Sequence, residues 1–331
     1  LLKIQAKLQP KKYIKERRQY IMKTNKLLKL VSIISIFTVF LSILIYPSFS
    51  NAQSNTKEIK ELENIEKNLK EENSFVVIDA KTQEVVDEIT TEELSMKSRS
   101  ITTNHTDPYK VPLRKSNNIS SRVIIGGDER TEVSHPYNEI AYLEINMSEK
   151  VLCGTAVMVY KNLAVTAAHN IFNGTLATGT EVFPERVEGN APYGSALVYQ
   201  YVLSKSYYEN LDDNEDWCLL ILDRNIGEQS GWQGIAYSDD YSYYANVNVT
   251  GYPEEKGVRQ YTATGPVKIA NNNFLYYDID STGGQSGGAV YDKNGYVIGV
   301  HKGGSNNPFI PWNRGSNINK ERFEIIVSYM N

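Results

Sequence analysis

The sequence predicts an all-β fold with one terminal helix. Short runs rich in β-branched and aromatic residues recur between turn signals: Ile140 to Ile145, Gly154 to Tyr160, Leu163 to Thr166, Ala196 to Leu203, Trp217 to Leu222, Asn246 to Gly251, Phe274 to Asp280, Ala289 to Tyr291 and Tyr296 to His301. From Val123 onward only Lys320 to Tyr329 has clear helical spacing, with Phe323, Ile326 and Tyr329 on one side. Many short strands with a single helix at the end imply a barrel or a sandwich. A chain of 331 residues with 41% hydrophobic and 11% aromatic content can fill such a core, and it is long enough for two domains. Among the 23 tyrosines are clusters such as Tyr199 to Tyr208 and Tyr237 to Tyr244, which suit strands. A net charge of −4, with no basic face interleaved with aromatics, argues against nucleic-acid binding.

The N-terminal third is organised differently. Lys23, Lys26 and Lys29 precede the apolar run Leu30 to Tyr46, and Pro47-Ser48-Phe49-Ser50-Asn51-Ala52 follows. That is the pattern of a secretory signal peptide cut after Ala52, with an uncleaved membrane anchor as the alternative. Residues 1–52 therefore read as an upstream extension plus signal peptide, with Met22 as the expected start. Between Lys57 and Glu72, Ile59, Leu62, Ile65 and Leu69 fall at helical spacing. Phe75 to Asp79 and Gln83 to Ile89 read as two strands joined by Ala80 to Thr82. Ser98 to Ser121, with Pro108 and Pro112, reads as a polar linker, and His105 within it as a solvated side chain.

Chemistry concentrates in Asp280 to Val290, where Gly283, Gly284, Gly287 and Gly288 surround Ser286. A reactive serine needs a sharply turned backbone that exposes its hydroxyl and aims N–H groups at a forming oxyanion, and glycine permits that turn. An ordinary Gly-rich turn between strands is the bland reading. A serine hydroxyl also needs an imidazole to take its proton and a carboxylate to orient that imidazole. Of the four histidines, His169 follows a β-rich run that ends in small residues, Thr166-Ala167-Ala168. Asp216 opens the apolar run Trp217 to Leu222, where an acid is costly without a partner. His135, beside Pro136, suits a surface turn.

His169, Asp216 and Ser286 in this order, within TAAH, D-x-x-L-L and G-x-S-G-G, resemble the chymotrypsin-like serine proteases. More narrowly, the chain resembles their bacterial glutamyl-endopeptidase branch, secreted enzymes that cut after acidic residues. The similarity runs from about Val123 to the C-terminus through VIIGGDERTEV, VTGYP, DSTGGQSGG and VIGVHKGG. It implies two packed antiparallel β-barrels, His169 and Asp216 in the first and Ser286 in the second. It also implies a protease domain over 122–331, with a mature start within Ser121 to Val123, and a propeptide over 53–121 removed by an activating protease. A small domain retained in the mature protein is the alternative for that segment. Protein or peptide substrates, a monomer and no cofactor are expected.

The same resemblance makes the N–H groups of Gly284 and Ser286 the oxyanion hole. It brings two readings of specificity. Asp280, six residues before Ser286, would favour cleavage after arginine or lysine. His301, helped by Ser281 and lined by Gly303, would bind a substrate carboxylate, with Lys302 adding positive potential. Gln285 carries no charge where trypsin-type activation needs an aspartate, which argues against that switch. The chain departs from many relatives in having Gly288-Ala289 for Ser-Pro and Asn170 for a cysteine after the histidine. Cys153 and Cys218 could be bridged or remain two buried thiols. Asp212-Asp213-Asn214-Glu215 reads as a solvated acidic loop, with calcium as the alternative. A secreted toxin or adhesin with little turnover is the alternative to an enzyme.

Overall fold

The structure is a computed structural model that describes residues 74–98, 103–111, 128–240, 244–304 and 311–330. The signal peptide, Met22, the helix expected over Lys57 to Glu72 and the expected mature start at Ser121 to Val123 lie outside the described residues. Among the described residues no helix is long and apolar enough to cross a membrane.

Strands β1 (Ser74–Asp79), β2 (Val85–Thr90) and β3 (Thr131–Glu132) precede the two barrels. The first barrel is built from β4 (Ile140–Asn146), β5 (Val151–Tyr160), β6 (Leu163–Thr166), β7 (Gly179–Pro184), β8 (Ala196–Ser204) and β9 (Cys218–Leu222). Its antiparallel order is β4-β5-β6-β9-β8-β7, closing back on β4. The second comprises β10 (Asn246–Gly251), β11 (Tyr261–Ala270), β12 (Phe274–Tyr277), β13 (Ala289–Tyr291), β14 (Val297–Gly304) and β15 (Asn313–Asn317). Its order is β10-β11-β12-β15-β14-β13, again closing on the first member, with β3 added beside β11. Closure leaves few free strand edges.

Each strand expected from the sequence is present within a few residues of its expected bounds. Four strands that apolar patterning did not reveal are β3, β7, β11 and β15. β15 reads Asn-Arg-Gly-Ser-Asn, yet Arg314, Ser316 and Asn317 are buried. Its polar side chains find partners: Arg314 pairs with Asp213 at 2.7 Å, and Ser316 Oγ donates to the carbonyl of Asp216 at 2.8 Å. Hydropathy cannot see a strand whose buried face is satisfied by hydrogen bonds.

The C-terminal helix Lys320–Ser328 is capped by Asn319, whose side chain accepts from the Arg322 N–H at 2.9 Å. It buries Phe323, Ile325 and Ile326, and also Arg322. That guanidinium donates to the carbonyls of Asn214, Asn273 and Asn317 and pairs with Glu215 at 3.1 Å. The helix thereby grips the loop that presents Asp216.

The expected hairpin in the N-terminal third forms, with Phe75 opposite Ile89. β1 also pairs antiparallel with β8, Phe75 opposite Ser204 through Asp79 opposite Gln200. The sheet of the first barrel thus continues into β1 and β2. Cys153, half-buried on β5, and Cys218, buried on β9, are both free, so no bridge joins them.

Candidate active site

His169 sits in the short helical turn Ala168–Ile171 that follows β6. Ala167 and Ala168 are fully buried, which lets the turn pack tightly against the barrel end. Asp216, 3% exposed, holds this turn twice: Oδ1 accepts from the His169 backbone N–H at 2.9 Å, and Oδ2 lies 2.8 Å from His169 Nδ1. With the proton on Nδ1 donated to the carboxylate, the Nε2 lone pair is left as a base. Burial pushes the Asp216 pKa up, but the hydrogen bonds and charge of His169, together with the Lys302 ammonium, hold it below the usual carboxylate range.

Ser286 lies on the turn between β12 and β13. Its backbone carbonyl accepts from Thr155 N–H and from Asn170 Nδ2, both at 2.9 Å, so the residue after His169 binds the serine's own backbone. The hydroxyl donates to the Lys302 carbonyl at 3.3 Å, and no hydrogen bond joins it to His169 among the described residues. Gly287 adopts φ +89°, and a Cβ there would stand 1.9 Å from the Thr155 carbonyl oxygen, so nothing larger fits. Gly284 adopts φ +87°. Its N–H and that of Ser286 donate to no carbonyl among the described residues, which leaves both free for an oxyanion.

Sequence reasoning missed the groups that join the barrels here. Thr155 Oγ1 donates to the Gly284 carbonyl at 2.8 Å and accepts from the Tyr252 N–H at 2.9 Å. Thr166 Oγ1 donates to the Thr155 carbonyl at 2.7 Å and accepts from Asn170 Nδ2 at 3.0 Å. Polar residues inside apolar runs were the only signal. Arg130 was also missed: its guanidinium donates to Gln285 Oε1 at 2.7 Å and Thr282 Oγ1 at 2.6 Å, while pairing with Asp128 and Glu255. The uncharged Gln285 is thus held from outside by a cation.

Lys302 departs from expectation. Its ammonium reaches Asp213 at 2.6 Å and Asp216 at 3.0 Å, turned toward the carboxylate that holds His169. Two carboxylates offer a buried cation more than an open pocket does. The acidic loop is accordingly an ion-pair network, with Asp213 bound to Lys302 and Arg314 and Glu215 bound to Arg322.

His301, 1% exposed on β14, exchanges backbone hydrogen bonds with both glycines after Ser286: Gly287 N–H to its carbonyl and its N–H to the Gly288 carbonyl, each 2.7 Å. Its Nδ1 lies 2.7 Å from the Tyr277 hydroxyl, and its Nε2 is buried without a partner. Burial, then the nearby His169 charge, pushes its pKa down to about 3. Between about pH 6.5 and that value the unfolded chain binds a proton the folded one refuses, so stability falls as pH drops through this window. Urea unfolding of the native protein and His301→Gln should show a smaller acid loss in the variant, by a few kcal/mol (~3) near pH 4. Gly303, at φ +119°, has open space around it. Asp280 is exposed and accepts from the Glu129 N–H at 3.1 Å. His135 lies exposed in a bend as expected, whereas exposed His105 has its ring against Tyr296 at 5.4 Å.

Two six-strand antiparallel barrels, with an imidazole–carboxylate pair on one and a Gly-turned serine on the other, define a chymotrypsin-like serine protease. A model of the trypsin-like peptidase domain matches residues 154–300. Over 245 residues the chain is 28% identical to a glutamyl endopeptidase of Bacillus licheniformis, covering 68% of this chain and 72% of that protein. It is 30% identical over 224 residues to an extracellular metalloprotease of Bacillus subtilis, covering 63% of this chain and 70% of that one. A Glu endopeptidase solved in complex with MPD superposes with a TM-score of 0.56 at 28% identity, over 62% of this chain and 98% of that chain. The chain belongs to the trypsin-like serine peptidases, in the branch that holds the bacterial glutamyl endopeptidases, and it is a serine endopeptidase.

Proposed function

We propose that the protein is a secreted endopeptidase that cuts after glutamate or aspartate through an acyl-enzyme, with Ser286 as nucleophile, His169 as general base and acid, and Asp216 as the orienting carboxylate. His169 Nε2 takes the Ser286 proton as the hydroxyl attacks the scissile carbonyl. The N–H groups of Gly284 and Ser286 stabilise the oxyanion, and the imidazolium returns its proton to the leaving amine. Water then repeats the sequence on the ester. The observation that carries this reading is the doubly held Asp216, which orients ring and turn together.

Acidic specificity rests on the state of His301. If the Tyr277 hydroxyl donates to His301 Nδ1, only one buried donor, Nε2–H, is left for a ligand to satisfy. If Nδ1–H donated instead, the hydroxyl proton and the Nε2 lone pair would both be orphaned, a costlier arrangement. A neutral Nε2–H suits a carboxylate and has nothing to offer a guanidinium. Ser281 and Gly303 complete the proposed pocket. Cleavage after arginine or lysine would need Asp280, whose carboxylate is exposed and engaged with the Glu129 N–H.

Matched peptides ending in Glu, Asp, Gln, Arg and Phe decide the matter: Glu is expected to be cut fastest, and a preference for Arg would eliminate the His301 assignment. Tyr277→Phe is expected to reduce the Glu-over-Gln ratio in kcat/KM about tenfold, the worth of one hydrogen bond, while kcat for Gln peptides stays near the parental value. Secretion is supported by the basic, apolar and small-residue order over Lys23 to Ala52. A monomeric protease domain over 122–331, released from a propeptide over 53–121 by an activating protease, completes the proposal. The 62% of this chain that matches nearly all of the solved Glu endopeptidase is close to the share that residues 122–331 occupy.

A further inference from the structure

We propose that the segment 74–111 stays bound to the protease domain after the chain is cut near Ser121 to Val123, as a separate, noncovalently held chain that supplies a strand to the first barrel. This rests on the proposed mature start. β8 has two edges: one pairs with β9 and the other is shared. β7 takes Ala196 and Leu197, and β1 takes Gln200 to Ser204 in five consecutive antiparallel pairs. Without β1 that half of the edge presents unpaired N–H and C=O groups, an open template for strand addition.

The side chains of β1 are core, not coating. Phe75, Val76, Val77 and Ile78 are each 3% exposed or less. Phe75 and Val77 join the cluster of Val165, Val202, Trp217 and Leu219, whereas Val76 and Ile78 join that of Tyr201, Leu203 and Leu220. Phe75 meets Trp217 edge-on at 5.7 Å, next in sequence to Asp216. A strand buried on both faces leaves only by exposing a contiguous apolar patch on itself and on the barrel.

Residues 103–111 add a second anchor. Thr106 N–H donates to the Ile235 carbonyl at 2.9 Å, and Ile235 N–H donates to Thr106 Oγ1 at 3.0 Å. Tyr109 exchanges two backbone hydrogen bonds with Trp232, and their rings stack at 4.4 Å. The protease side is shaped to receive this strap. A Cβ on Gly234 would stand 2.2 Å from the Thr106 carbonyl oxygen, and one on Gly231 2.4 Å from that of Tyr109. No hydrogen bond from residues 74–98 or 103–111 reaches His169, Asp216, Ser286 or His301 among the described residues.

The test is processed, active enzyme, stopped with a fluorophosphonate and run on a native sizing column, with each peak identified by denaturing intact-mass spectrometry. The expected result is a fragment containing residues 74–111 eluting with the protease domain in equal amount and released by denaturant. Tyr109→Ala, which thins the strap at an exposed position, should release the fragment at least tenfold faster on dilution. A cut enzyme that elutes without the fragment and keeps its activity and melting temperature overturns the proposal while leaving the mature start intact. An active enzyme whose mass shows no cut near residue 121 overturns the mature start, and the second-chain proposal with it.

Discussion

Ser286→Ala is expected to lower kcat for peptide hydrolysis by about 10⁴-fold or more, leaving the residual rate that oxyanion binding and positioning alone supply. The fold should not suffer. The hydroxyl makes one long hydrogen bond, to the Lys302 carbonyl at 3.3 Å, whereas the loop is held through the Ser286 backbone carbonyl and the Gly287 turn. Steady-state hydrolysis, fluorophosphonate labelling and a melting curve on the same preparation separate the outcomes. A variant that still turns over peptides at the parental rate would show that the nucleophile lies elsewhere, and a lowered melting point would show that the loop had collapsed.

Asp216→Asn is expected to cost about 10⁴ in kcat with little change in KM, since the substrate does not touch this residue. An amide is nearly the same shape as the carboxylate, but its NH₂ group would donate to His169 Nδ1 and drive the proton onto Nε2, where the base is needed. It would also leave the Lys302 ammonium facing a neutral group at the position it now approaches at 3.0 Å. The pH dependence has a definite sign. A carboxylate held below its ordinary value of 3.8 stabilises the folded state above about that pH, and this contribution is lost as pH falls toward the lowered folded value. Asp216→Asn should therefore unfold with a shallower acid limb than the parent below about pH 3.8, a range that overlaps only the lower end of the His301 window. Equilibrium unfolding across the acid range measures both limbs, and an unchanged acid limb would contradict the role assigned to the Asp216 charge.

Much of the barrel architecture was legible because its strands bury alternating or continuous apolar runs, as β6 and β9 do. β15 was not, because Arg314, Ser316 and Asn317 are buried by being bonded rather than by being apolar. In the site, His169, Asp216 and Ser286 stood out through small residues, an acid at the mouth of an apolar strand and a glycine cluster. Thr155, Asn170 and Arg130 did not, because their side chains reach Gly284, Ser286 and Gln285, each more than a hundred positions away along the chain. Lys302 was placed near the right groups but aimed the wrong way, since the direction of a long flexible cation follows from which carboxylates surround it.

The division into two barrels came only from the resemblance to the chymotrypsin-like proteases, whereas the amino-acid order by itself determined which chemical groups are present, in what succession, and that short strands would carry them. Local rules suffice for that: glycine allows the turn at Ser286, and hydropathy selects strands. Only the tertiary structure decided that Asp216 holds both the ring and the backbone of His169, that Tyr277 faces His301, and that β1 completes the edge of β8. These depend on distances between segments far apart along the chain, which are set by barrel closure and register and leave no local trace in composition or spacing.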